Sequence, residues 1–273
     1  MSSPAETLHP SQERKEMPVT GPIWLLSTKG RPELCQEVLD ACSESGMTSQ
    51  GLVYVDGDSY PDLQLPSNWE KVEGPEWGGI AAGMNIVMER HPSASAYGWL
   101  ADDTFPRTSG WDRRVEQAAG DWRLAYCNDA GYIQHLTDVM TGRDLTSGLC
   151  WGGELVRAVG WWTLPGVYCA GIDTAWVEIV QPLGLWAYLD DVVVEHKNYR
   201  TGKREYDEID DWDHSGKNHI EEDIAIRDAW HARGEHALAQ NRILDRVEWH
   251  QANARNGGAD AEWHRSCFAS FPV

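Results

Sequence analysis

The chain is short of positive charge. Its 273 residues hold 23 lysines and arginines against 43 acids, a net charge of −20. Such a chain repels polyanions at long range, so nucleic acid could be bound only through a local basic groove. No apolar stretch approaches the length of a membrane span. Residues 1–21 are polar, contain prolines and lack the apolar segment of a signal peptide, so they read as a loose tail. The six cysteines, at 35, 42, 127, 150, 169 and 267, make no CxxC pair and no zinc spacing. Reduced thiols in a cytoplasmic compartment are expected. There is no internal repeat, no low-complexity tract, no dinucleotide or P-loop glycine pattern, no serine nucleophile elbow and no HExxH.

What is present is apolar and aromatic. Hydrophobic residues make up 41% of the chain and fifteen are tryptophan, a globular composition. Tryptophans fill cores, and they also make flat platforms for sugars and bases.

The first ordered run, "PIWLLST" (22–28), predicts a buried strand. A helix follows, with Leu34, Val38, Leu39 and Cys42 at helical spacing and Gly46 as its stop. "GLVYVDGD" (51–58) is a second strand, ending in Asp56 and Asp58. Strand, helix, strand argues for a parallel sheet. Residues 77–92 predict a helix with a glycine-rich start, closed by Pro92. The next strand, led by Tyr97, Trp99 and Leu100, runs into Asp102 and Asp103. Ser109 and Asp112 then read as a capping box. Further expectations are a strand at 122–129, helices at 152–160 and 173–184, and two short strands within 185–197, the second ending at Glu195-His196. After about residue 207 the chain turns acidic and then helical, weakened at Gly234. Three parts are expected: a tail at 1–21, an α/β domain at 22–207 and a C-terminal helical appendage at 208–273.

Two adjacent acids at a strand end ask for an explanation. Successive strand residues point to opposite faces, so Asp102 and Asp103 cannot share one ligand while the strand continues. Past the strand's end, one can hold a cation while its neighbour reaches a hydroxyl. In open α/β sheets ligands sit at the carboxyl ends of strands, and Asp56, Asp58, Asp102 and Asp103 would all arrive there. A hard divalent ion with phosphate oxygens would offset their mutual repulsion. The alternative is a set of solvated turn acids. His196 ends an apolar strand and is either a metal ligand or structural. Lys197, Arg200, Lys203 and Arg204 follow it, a basic spot that could hold a diphosphate or balance the acids nearby. Asp173, at a helix mouth, is either an N-cap or a general base. Gly78 and Gly79 could let an anionic ligand approach a helix N-terminus.

"LADDTFPRTSGWD" (100–112), with "STKGRP", "GIDTAW" and "VVVEHKN" followed by "YDE", resembles GT-A-fold glycosyltransferases, in particular a bacteriophage group described as family-2-like. The resemblance covers roughly residues 22–207. It implies a Rossmann-like, mixed and mostly parallel sheet flanked by helices. It implies a nucleotide-sugar donor, a UDP-sugar, with Mn2+ or Mg2+. By the resemblance Asp103 and His196 would ligate the cation, and Asp102 would touch the donor's ribose or sugar. Thr28, Arg31 and Asp56 would surround the base and ribose, and Trp77, Gly78 and Gly79 would flank the donor sugar. Asp173 would be the catalytic base of an inverting enzyme. Here the pair is Ala-Asp-Asp, not a spaced Asp-x-Asp, so the division of roles within it stays open.

Phage members of this group are associated with modified DNA, which implies 5-hydroxymethylcytosine in DNA as acceptor. Such a base would be flipped out and stacked on aromatics, with Trp151, Trp161 and Trp162, Arg113 and Arg114, and the 197–204 stretch as candidate contacts. Rival readings are transfer to a glycan, protein or small molecule, or a non-catalytic carbohydrate-binding module. No membrane partner is expected.

Overall fold

The computed structural model describes residues 21–76, 78–130, 148–199, 202–210, 219–258 and 260–271. The expected N-terminal tail lies almost wholly outside them. Eight strands form one sheet: β1 (Ile23–Thr28), β2 (Gln50–Asp56), β3 (Trp69–Gly74), β4 (Ala96–Ala101), β5 (Thr104–Pro106), β6 (Leu124–Asn128), β7 (Leu149–Gly152) and β8 (Trp186–His196). Their order is β3-β2-β1-β4-β7-β6-β8-β5. Neighbours β3-β2, β2-β1, β1-β4 and β6-β8 run parallel, while β4-β7, β7-β6 and β8-β5 run antiparallel. This is the mixed, mostly parallel α/β sheet expected, with helices flanking it.

The uninterrupted apolar run of β1 follows from cover on both faces. Ile23 and Leu25 join one core with Leu52 and Tyr54 of β2, and Trp24 and Leu26 join the other with Val53 and Val55. Helices α1 (Pro32–Glu44) and α3 (Trp111–Ala119) cover the second core. The first core lies under α2 (Gly79–Arg90), α4 (Gly153–Val159) and α5 (Ile172–Val180). Two glycines make room for aromatics across the ladder. A Cβ on Gly98 would lie 2.2 Å from the Trp24 ring, and one on Gly51 would lie 2.2 Å from Trp69.

The C-terminal segment forms α6 (Ile220–Ala232), α7 (Glu235–Asn256) and α8 (Ala261–Ala269). Gly234, at φ 72°, breaks the helix where the sequence weakens it. Trp230, Ala239, Ile243 and Val247 belong to the same core as the sheet residues. No helix among the described residues is long and apolar enough to cross a membrane. No disulfide joins the six cysteines.

Three local expectations need correction. Ser109 does not cap α3; the N-cap is Gly110, at φ 64°. Asp112 is buried and accepts instead from the Thr48 and Ser49 backbone N–H groups and the Ser49 hydroxyl, tying α3 to the loop before β2. Asp173 is likewise inside the first turn of α5, and Gly171 is its N-cap. Residues 186–196 form one strand, not two; its pairing slips between Leu189 and Val193, so it joins β6 first and β5 afterwards.

Candidate active site

The carboxyl ends of β1, β2 and β4 meet at one edge, because Thr28 pairs with Val55 and Ser27 with Ala101 in parallel register. A cleft of about 190 Å³ opens there. Its walls include Thr28, Lys29, Arg31, Asp56, Gly79 and Asp102, together with Tyr168 and His219. Strand β4 stops at Ala101, so Asp102 and Asp103 form the turn into β5, closed by the Thr104 hydroxyl donating to the Ala101 carbonyl at 2.7 Å. The two carboxylates then part.

Asp102 faces the cleft. It accepts from the Thr28 hydroxyl at 2.8 Å and from the Lys29 N–H at 3.4 Å, and Arg31 lies 3.4 Å away. Burial pushes its carboxyl up to about 6, against the pull of Arg31 and with a further push from the Asp103 charge. Arg31 is itself gripped from a distant stretch: it donates to Asp207 at 2.7 and 2.8 Å and to Asp210 at 2.9 Å. Asp210 in turn takes two bonds of 2.6 Å from Arg204.

Asp103 turns the other way, towards β8. Antiparallel pairing sets His196 opposite Thr104, and the Lys197 N–H donates to the Asp103 carbonyl at 2.8 Å. His196 Nε2 therefore stands 3.1 Å from the Asp103 carboxylate, with Arg204 at 3.9 Å. Burial alone would raise the Asp103 carboxyl; His196, Arg31 and Arg204 hold it below the ordinary value. Among the described residues no group of three or more histidines, cysteines or acids forms a ready metal site. The protein thus offers one carboxylate and one imidazole, a set that suits a divalent ion completed by ligand and water oxygens.

Asp56 lines the cleft but is already engaged. It accepts from the Gly78 N–H at 2.9 Å, the Gly79 N–H at 3.3 Å and Lys29 at 3.2 Å. The N–H groups of these two glycines, read as open to an anionic ligand, are turned to the Asp56 carboxylate. A Cβ on Gly78 would meet the Tyr54 hydroxyl at 2.3 Å, and one on Gly79, at φ +65°, would meet the Tyr168 carbonyl at 2.4 Å. Gly79 still borders the cleft.

A second pocket of about 140 Å³ adjoins the first, sharing Ile80 and Cys169. Trp99, Met84, Leu149 and Ile172 give it an apolar wall, and Asp173 is its carboxylate. Asp173 Oδ1 accepts from the Thr174 N–H at 2.7 Å. Burial raises its carboxyl; the Thr174 N–H and hydroxyl, and the charge of Arg227, work against that rise.

Some expected residues do not come together. Lys197 borders neither pocket; its ammonium lies 3.9 Å from the Phe105 ring centroid and 3.6 Å from Glu37. Trp77 and Arg200 lie outside the described residues. Trp162 is fully buried in the core, and Trp151, equally buried, lines the inner pocket. Trp161 packs on Trp176 and Trp230. Arg113 and Arg114 bond Thr48 and Asp191. Other residues were missed by sequence reasoning. Asp207 and Asp210 read as an acidic loop, although "YDE" contains the first of them. Tyr168 and His219, stacked at 4.2 Å, form a cleft wall that no motif marks.

No protein-family model matches this sequence. No curated protein matches it either. Solved structures do resemble it. Staphylococcus aureus TarS aligns with a TM-score of 0.49 and 10% identity over 67% of this chain, which spans 38% of the length of TarS. Residues 1–349 of TarS align at 0.48 and 10%, covering 73% of this chain and 74% of that fragment. Glucosyl-3-phosphoglycerate synthase from Mycobacterium tuberculosis, in complex with Mn2+, UDP-glucose and phosphoglyceric acid, aligns at 0.49 and 14%, covering 65% and 71% of the two chains. At such identities the activity of this chain has to be argued from its own residues.

Proposed function

We propose that this chain is a glycosyltransferase that moves a sugar from a UDP-sugar to a hydroxyl acceptor with the help of Mn2+ or Mg2+. One observation carries the reading: at the end of β4 the adjacent acids part, Asp102 into a cleft at the sheet's carboxyl edge and Asp103 to within 3.1 Å of His196. A nucleotide-sugar needs both, a polar cradle for its hydroxyls and a place for a cation beside its diphosphate. Asp103 and His196 would hold that cation, which would neutralise charge on the departing diphosphate.

The protein's own groups do the rest. Thr28, Asp102 and Asp56 line the cleft for the donor's hydroxyls and base. Asp173, in the adjoining pocket, takes the proton of the acceptor hydroxyl as its oxygen bonds to the anomeric carbon. The bond from that carbon to the diphosphate oxygen breaks, and the nucleoside diphosphate leaves with the electron pair. A base with a raised pKa is matched to this task. The outcome is inversion.

The acceptor in this proposal is 5-hydroxymethylcytosine in DNA, as the sequence resemblance implies, acted on in the cytoplasm. The catalytic unit is 22–207, served by the helices after it. Trp162 is core and Trp161 packs against it, so base capture would fall to the pocket beside Asp173, walled by Trp99 and Trp151. The test is incubation with Mn2+ and a panel of UDP-sugars, with and without hydroxymethylated DNA, followed by mass spectrometry of the nucleosides. A sugar-sized mass gain on hydroxymethylcytosine supports the whole reading. UDP release with glycans or small molecules alone removes the DNA acceptor. Binding without turnover, unchanged in Asp173→Asn, removes the enzyme.

A further inference from the structure

We propose that Asp223, in the first turn of helix α6, is a positioning residue for both pockets: it fixes the 168–170 loop that divides them and leads into Asp173. The inference rests on the glycosyltransferase reading of the site. Asp223 is fully buried and touches neither pocket. Its carboxylate accepts three consecutive backbone N–H groups, those of Tyr168, Cys169 and Ala170, each at 2.8 Å. Charged acceptors make the stronger hydrogen bonds, and three on one loop leave it little freedom.

That loop sits where precision matters. Tyr168 and Cys169 line the cleft, and Cys169 and Ala170 line the inner pocket. Its other side is held by α2, where the Ala81 N–H donates to the Tyr168 carbonyl at 3.0 Å and Gly79 lies flush against the same carbonyl. Directly after the loop, Gly171, at φ 77°, starts the helix that carries Asp173. The same α6 packs Arg227 against Gly171 and sets its charge within reach of Asp173. The C-terminal segment is therefore built into the site: Asp223 sets where the wall between donor and acceptor stands.

The test compares Asp223→Asn with Glu221→Gln, at an exposed acid in the first turn of the same helix. An Asn side chain keeps one acceptor oxygen but turns its NH2 towards an N–H, so the loop loosens while the fold persists. Four readouts are taken: melting temperature, UDP-sugar affinity by calorimetry, kcat and KM for transfer, and amide exchange at 168–170. The expected result for Asp223→Asn is kcat lower by about 10²-fold, the scale of an ångström-sized misplacement. Donor affinity stays within about threefold, and exchange at 168–170 rises by about tenfold relative to that in α6, as for a weakened charge-assisted bond. Glu221→Gln matches the wild type. A folded Asp223→Asn protein with kcat unchanged overturns the proposal. So does a uniform loss of melting temperature, donor affinity and kcat together. If the wild-type protein transfers no sugar to any acceptor, the glycosyltransferase reading fails instead; unchanged exchange at 168–170 would then overturn the anchoring as well.

Discussion

Two clusters of charged side chains differ in what surrounds them. At the cleft edge Asp102, Asp103, Asp207 and Asp210 face Arg31 and Arg204, with His196 beside them. Acids outnumber guanidinium groups there, a cavity opens alongside, and burial lifts Asp102 to about 6. Beside the amino end of β4, where Gly152 pairs with Ala96, Glu154 of α4 meets Arg157 at 2.7 Å, Arg246 of α7 at 2.9 Å and His250 at 3.0 Å. There Glu154 is over-satisfied. Burial would raise it, yet His250, Arg157 and Arg246 hold it at about 2. Neither the cleft nor the inner pocket touches this cluster, which joins helices to the sheet. Buried charge alone does not mark a site; an excess of buried acids beside a cavity is what points to one.

The largest effect that would break this contrast is at Asp103. Asp103→Asn should cut metal-dependent transfer by about 10²–10³-fold, the scale of removing one electrostatic stabiliser, with little change in melting. Steady-state rates across a Mn2+ titration check this, and an unaltered rate would return Asp103 to a structural role. Glu154→Gln should do the reverse. It should destabilise the fold by about 3 kcal/mol, the low end for breaking a buried ion pair, because Arg157 and Arg246 keep some access to water. Urea unfolding measures it, and kcat per folded molecule should hold.

The two regions should also separate with pH. The Glu154 carboxyl falls from an ordinary 4.5 to about 2 on folding, so its contribution to stability is present above 4.5 and is lost as pH drops towards 2. Asp102 shifts upward, from 3.8 to about 6, so its ionisation costs stability as pH rises through that window. Comparing the pH dependence of unfolding in Glu154→Gln and Asp102→Asn should show changes of slope in opposite senses: the first loses a rise between about 2 and 4.5, the second loses a fall between about 4 and 6. The smallest effect belongs to Lys197. Since its ammonium sits on Phe105 and near Glu37, Lys197→Ala should cost no more than about 1 kcal/mol and leave donor KM within about twofold. A tenfold rise in KM would return Lys197 to the diphosphate.

Much of the sheet was legible because its strands are contiguous apolar runs. β1, β2, β4 and β6 each stood out that way. β3, β5 and β7 did not. β3 is an edge strand whose Glu70, Lys71 and Glu73 break its apolar pattern, and β5 and β7 have only three and four residues. The acids ending β2 and β4 were visible for the same reason that their strands were. The tryptophans were misread in part, since composition counts aromatics without saying which way they face. Asp112 was visible as an acid near a helix start, but its partners lie 63 and 64 residues back along the chain.

By itself, then, the sequence determined that covered strands would deliver Asp56, Asp102 and Asp103 to one edge, because alternation and strand length are properties of neighbouring residues. Only the tertiary structure decided that Asp102 would face the cleft and Asp103 would face His196, that Asp207 and Asp210 would close on Arg31, and that Asp223 would brace the loop before Asp173. Those outcomes depend on β5 pairing with β8 and on helix α6 docking beside α5. Electrostatics and hydrogen bonds act over a few ångströms of space, whatever the number of residues between the partners.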